Sequence, residues 1–155
     1  MARIPYADLN HPEIQPIVQQ IEAERGSVIH LYQMLLQSPA VAQGWLDYLT
    51  AIRQKTSISG ALRELIIMRV AILNRAPYEA DQHAPIALQE GVTQDQLDAL
   101  ENWQDSDLFN AQEQAILAYT DAMTLQIQVP DPVFAQIKEL FSQQETVEIT
   151  ATIGA

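Results

Sequence analysis

Three side chains near the middle of the sequence have the types and spacing for proton chemistry: Glu64, Glu79 and His83. Glu79 and His83 are four residues apart. On a helix that spacing puts their Cβ atoms about 5–6 Å from each other. Glu64 stands in ALRELIIMRVAILNR (61–75), a run so apolar around its circumference that it predicts a buried central helix. A carboxylate buried there is costly unless it is paired or protonated, and its natural partners are an imidazole or a guanidinium. On a helical wheel Glu64, Ile67, Met68, Ala71 and Arg75 share one face. If the following helix folds back antiparallel, His83 comes alongside that face. A carboxylate against an imidazole holds its tautomer and raises its basicity, which is how a proton relay is built. The same spacing also fits a purely structural Glu–His or Glu–Arg pair that satisfies a buried polar group. A Glu-x-x-x-His pair lacks the third ligand of a zinc or iron site, so no metal is expected. His11, before Pro12 in an irregular arm, reads as solvated. His30, one place off an apolar stripe, reads as a packing or surface residue.

The elements that must position these groups all read as helix. Five glycines and eight prolines punctuate the chain. EIQPIVQQIEAE (13–24) places Ile14, Ile17, Val18 and Ile21 on one stripe, and Arg25-Gly26 closes it. Ser27 is a candidate cap for Val28, Leu31, Tyr32 and Leu35. Ser38-Pro39 restarts the chain ahead of Val41, Trp45, Tyr48, Leu49 and Ile52. KTSISG (55–60) is a polar break before the central run. Asn74 through Pro77 ends that run, and Pro85 lies inside the next helix, where it removes a backbone bond or bends the axis. Gly91 fits a left-handed C′ position. Thr93-Gln-Asp-Gln96, Asn110-Ala-Gln-Glu113 and Ser142-Gln-Gln-Glu145 read as capping boxes, and Asp131-Pro132 reads as an N-cap and N1 pair. No stretch alternates as a strand. The expected fold is an all-α bundle of seven or eight helices forming one structural domain. Residues 1–26 make an arm and first helix, and residues 27–155 make the main helical body.

Composition narrows the function. A chain of 155 residues with 48% hydrophobic residues can bury a core without staples. There is no cysteine, which rules out disulfides, thiolate metal sites and thiol peroxidase chemistry within the chain. The net charge is −12 and unevenly placed. Residues 1–75 hold seven of the eight Lys+Arg and six of the twenty acids, while residues 76–155 hold only Lys138 against the other fourteen. With no basic cluster to displace counterions, a nucleic-acid partner is not expected. An anionic membrane would repel the chain, and no apolar run approaches the ~20 residues of a membrane span. The N-terminus has no apolar signal core, so a soluble cytoplasmic protein is the expectation.

The run LRELIIMRVAILNRAPYEADQHAPIALQEGVTQDQLDAL (62–100) resembles the carboxymuconolactone decarboxylase family, which shares its fold with the alkylhydroperoxidase D-like proteins. LYQMLLQSPAVAQGWLDYL (31–49) is similar to that family's upstream helices. The pieces that carry the resemblance are Arg63-Glu64-Leu65, Tyr78-Glu79, His83 and Glu90-Gly91-Val92. The resemblance implies an all-helical fold that assembles as trimers or hexamers. In the peroxidase branch it implies Cys-x-x-Cys-x-x-x-His, with a glutamate one helix earlier. Aligned on His83, the cysteine positions are Ala76 and Glu79 and the glutamate position is Glu64, so the acid and the histidine are kept without either sulfur. The decarboxylase branch needs no thiol. It implies a cofactor-free loss of CO2 from a small carboxylated lactone. His83 would be the proton donor, Glu64 its partner and Glu79 a tuning group. Arg75, and less directly Arg69 or Arg63, would bind substrate carboxylate, with Tyr78 and Met68 beside them. Two departures stand out. Ala80 replaces the tryptophan that often follows Tyr-Glu, and the family pattern usually continues by one more helix beyond the last residue here. Three readings remain open at this point: the lyase, a family member with another small-acid proton transfer, and a non-catalytic helical oligomer with a decayed site.

Overall fold

A computed structural model describes residues 3–155, which are all-helical, with no strand among them. The chain divides into two compact units, one ending at Lys55 and the other spanning Thr56–Ala155. The expected boundary near residue 26 lies inside the first unit.

The first unit holds α1 (Gln15–Arg25), α2 (His30–Leu35) and α3 (Pro39–Gln54). Its core is Ile14, Val18, Ile21, Tyr32, Leu36, Ala42 and Leu46. On α2 and α3 the buried face is not the expected stripe: Leu31, Val41 and Tyr48 are exposed, and Leu36, Ala42 and Leu46 are buried instead. Gly26 ends α1 at φ 81°, and its N–H bonds Glu22 O at 2.8 Å. A left-handed residue there suits glycine because it carries no Cβ. Glu24 accepts from the Thr50 hydroxyl at 2.6 Å, and that hydroxyl accepts from Arg25 Nη2 at 2.7 Å. Ser27 is not a cap. The helix that follows starts at His30 with Ile29 as its N-cap. The His30 ring stacks on Tyr6 with centroids 5.0 Å apart, and His11 is exposed.

The second unit holds α4 (Gly60–Leu73), α5 (Pro77–Gln89), α6 (Gln94–Ala99), a 3-10 turn (Leu100–Asp105), α7 (Ala111–Asp121), a π turn (Ala122–Gln126), α8 (Asp131–Leu140) and α9 (Gln143–Gly154). Nine α-helices are therefore described among these residues, rather than seven or eight. As its composition predicts, α4 is central and packs against α5, α7 and α9. Leu65 and Ile66 of α4 are fully buried with Leu100, Ile116, Leu117, Ile137 and Ile149. Each such side chain contributes about 1.5–3 kcal/mol by leaving water. The capping boxes at Thr93, Asn110 and Ser142 are all formed. One boundary differs from expectation: Pro130 is the N-cap of α8, so Asp131 and Pro132 are its first helical residues. Pro85 lies inside α5, as expected.

Candidate functional site

The site is built on the α4–α5 hairpin. Helix α4 starts where the Ser59 side chain accepts from Leu62 N, an N-cap in the polar break. It stops at Leu73, and the turn Asn74–Ala76 leads to Pro77 at the first position of α5. Arg75 sits in that turn at φ 53°. It is exposed and lies beyond the helix, so it does not extend the Glu64 stripe as a wheel drawn through residue 75 implies.

The hairpin brings Glu64 and His83 together. Glu64 Oε2 lies 2.7 Å from His83 Nδ1, and the two residues are 2% and 4% exposed. Arg63 Nε donates to the other oxygen, Oε1, at 3.1 Å, and Arg63 Nη2 donates to Glu90 Oε1 at 3.1 Å. Burial pushes the Glu64 carboxyl up. The hydrogen bond and charge of His83, with those of Arg63, outweigh it and hold Glu64 below its ordinary value of 4.5. An ionised carboxylate only accepts, so this contact calls for the proton on Nδ1 of His83.

The other candidate residues are spread more widely. Glu79 and Tyr78, in the first turn of α5, are exposed, Tyr78 by 65%. Met68 is buried in the apolar core. Arg69 is buried. Its Nε and Nη2 pair with Asp121 at 2.6 and 2.9 Å, and Nη1 donates to the carbonyls of Leu100 and Glu101. Trp103 Nε1 and Gln104 Nε2 also donate to Asp121, each at 3.1 Å. Among the described residues no group of three or more His, Asp or Glu is placed to hold a metal ion. Sequence reasoning missed the Arg63–Glu90 and Arg69–Asp121 pairs. Their partners lie 27 and 52 positions apart, and no local spacing rule reaches that far.

The sequence pattern of the carboxymuconolactone decarboxylase family matches residues 39–122, more than half of the chain. The chain belongs to this family. Among curated proteins it is similar to the uncharacterized protein YdfG of Bacillus subtilis, with 28% identity over 103 residues, covering 65% of this chain and 70% of that one. Its fold is shared with solved structures of lower identity. The debrominase Bmp8, as a cysteine-to-alanine variant in complex with 2,3,4-tribromopyrrole, aligns with TM-score 0.79 and 20% identity over 99% of this chain and 83% of the other. The alkylhydroperoxidase AhpD core of an uncharacterized peroxidase-related protein from Ralstonia eutropha aligns with TM-score 0.75 and 18% identity over 98% and 83%. Within this family the present chain has no cysteine, so its chemistry does not run through a thiolate of its own.

Proposed function

We propose that this family member is a cofactor-free carboxy-lyase or proton-transfer enzyme acting on a small carboxylated lactone or related organic acid. The observation that carries this reading is the buried 2.7 Å contact between Glu64 Oε2 and His83 Nδ1. Decarboxylation breaks the bond between carbon and the leaving carboxylate, and the electron pair moves onto the lactone carbonyl. A proton must then reach carbon. Protonated His83 supplies it, while Glu64 stabilises the imidazolium. Arg63 and Arg69 are held by carboxylates of the fold, which favours Arg75 on the α4–α5 turn as the residue for a spectator carboxylate. Glu79, one turn before His83, tunes the site from its exposed rim. Self-association to a trimer or hexamer belongs to the same proposal. It is favoured by the apolar side chains that α5 leaves exposed, Tyr78, Ile86 and Leu88.

The test is incubation with γ-carboxymuconolactone, following lactone absorbance and CO2 release. Turnover should fall by about two to four orders of magnitude in His83→Ala, the usual contribution of a general acid or base, and survive His30→Ala. Turnover unaffected by His83→Ala would overturn the assignment of His83. The absence of turnover on any small carboxylated acid would leave Glu64–His83 as a structural pair. Native mass spectrometry reads the oligomer, and a monomer would refute that part.

A further inference from the structure

We propose that Arg63 and Glu90 are positioning residues, a charged clamp that turns the Glu64 carboxylate so that Nδ1 of His83 is the proton-bearing nitrogen. The catalytic importance of that orientation rests on the function proposed above. The geometry of the clamp does not.

Adjacent residues on a helix point in different directions, so Arg63 does not meet Glu64 by helical spacing alone. Something must draw the guanidinium across, and Glu90 at the end of α5 does so. Arg63 Nη2 reaches Glu90 Oε1 while Nε reaches Glu64 Oε1, both at 3.1 Å. The Arg63 side chain is 11% exposed, which leaves it little freedom to choose another arrangement. Glu90 in turn is seated against Gly60, the first residue of α4. A Cβ built at Gly60 would overlap the Glu90 carboxylate, so the carboxylate holds this seat only while residue 60 is glycine. The first turn of α4 is also the positive end of its dipole, where a carboxylate is stabilised.

The clamp has a chemical consequence. With Arg63 in place the group Glu90–Arg63–Glu64 carries one net negative charge, which protonation of His83 neutralises. Without Arg63, the hydrogen bond and charge of His83 still oppose burial at Glu64, but the guanidinium's share is lost. The competing state takes up one proton from solvent at Nε2 and passes the Nδ1 proton to the carboxyl, whose O–H then donates to Nδ1. Losing Arg63 shifts the balance toward that state while the pair still touches and the helices still pack.

The experiment uses the full chain with 15N-labelled histidine and long-range 1H–15N NMR at neutral pH. His11 and His30 serve as internal references. Wild type should show His83 protonated at Nδ1. Arg63→Gln should move the tautomer ratio toward Nε2–H by about tenfold or more, equivalent to about 1.4 kcal/mol. Gly60→Ala displaces the Glu90 carboxylate without altering any charge, and should move the ratio the same way by a smaller factor. Arg63→Lys should restore part of the wild-type ratio. Circular dichroism checks folding, and if Arg63→Gln does not fold, Gly60→Ala decides. His83 remaining in the wild-type tautomer in the folded variants would overturn the clamp. If the tautomer moves but no small acid is turned over, the clamp stands and the proposed reaction fails. Turnover that depends on His83 while the tautomer stays unmoved removes the clamp and keeps the reaction.

Discussion

Replacing Arg69 by Met separates a structural guanidinium from a substrate-binding one. Arg69 makes two bonds to Asp121, at 2.6 and 2.9 Å, and two to backbone carbonyls, at 2.8 Å (Leu100) and 3.1 Å (Glu101). The two side chains are only 7% and 15% exposed, so solvent cannot replace what is lost. Methionine keeps much of the aliphatic volume, and the cavity contribution is small. The Asp121 carboxylate would be left with Trp103 and Gln104 as its donors, and the 3-10 turn would lose its tie to α4. Breaking a buried pair from one side costs about 3–5 kcal/mol. For a chain of this size that lowers Tm by roughly 6–20 °C. Urea unfolding followed by circular dichroism measures the loss, and Trp103 fluorescence reports the turn itself. Adding Asp121→Leu removes the stranded charge and should recover at least about 1 kcal/mol relative to additivity. Arg69→Met within about 0.5 kcal/mol of wild type, the range of ordinary surface substitutions, would refute the reasoning. Loss of small-acid binding in such a stable variant would return Arg69 to the substrate site.

Further expectations follow from the same contacts. Glu64 titrates lower in the folded chain than in the unfolded one, so its contribution is complete above the ordinary carboxyl range. As pH falls from about 4.5 the unfolded chain takes the proton first, and stability declines until the folded carboxyl protonates. Glu64→Gln should flatten that decline in acid unfolding curves, and an unchanged slope would remove Glu64 from the account. Ile127 is β-branched, 85% exposed and held at φ 66° just after the π turn. Ile127→Gly should therefore raise stability by about 1 kcal/mol in urea, and a loss of that size would show that the side chain is supported. Asn110→Ala removes the cap of α7, where Asn110 accepts from Gln112 N and Glu113 N, and should cost about 1 kcal/mol in the same urea measurement.

Much of this protein was legible along the chain. Helical periodicity and caps are local properties, decided within a few residues, and they placed the capping boxes at Thr93, Asn110 and Ser142 and the buried α4 correctly. The pairing of Glu64 with His83 was also within reach, because a buried acid needs a partner and the next helix offered one. Tertiary packing alone decided which arginine holds which carboxylate. Arg63, Arg69 and Arg75 look alike in sequence, yet one is clamped between Glu64 and Glu90, one is consumed by Asp121, and one is exposed on a turn. Ion pairs form wherever the folded backbone brings charges within a few ångströms, and no sequence period encodes that meeting. The same reason makes Gly60 look like ordinary helix punctuation until a carboxylate from the far end of α5 is seen resting against it.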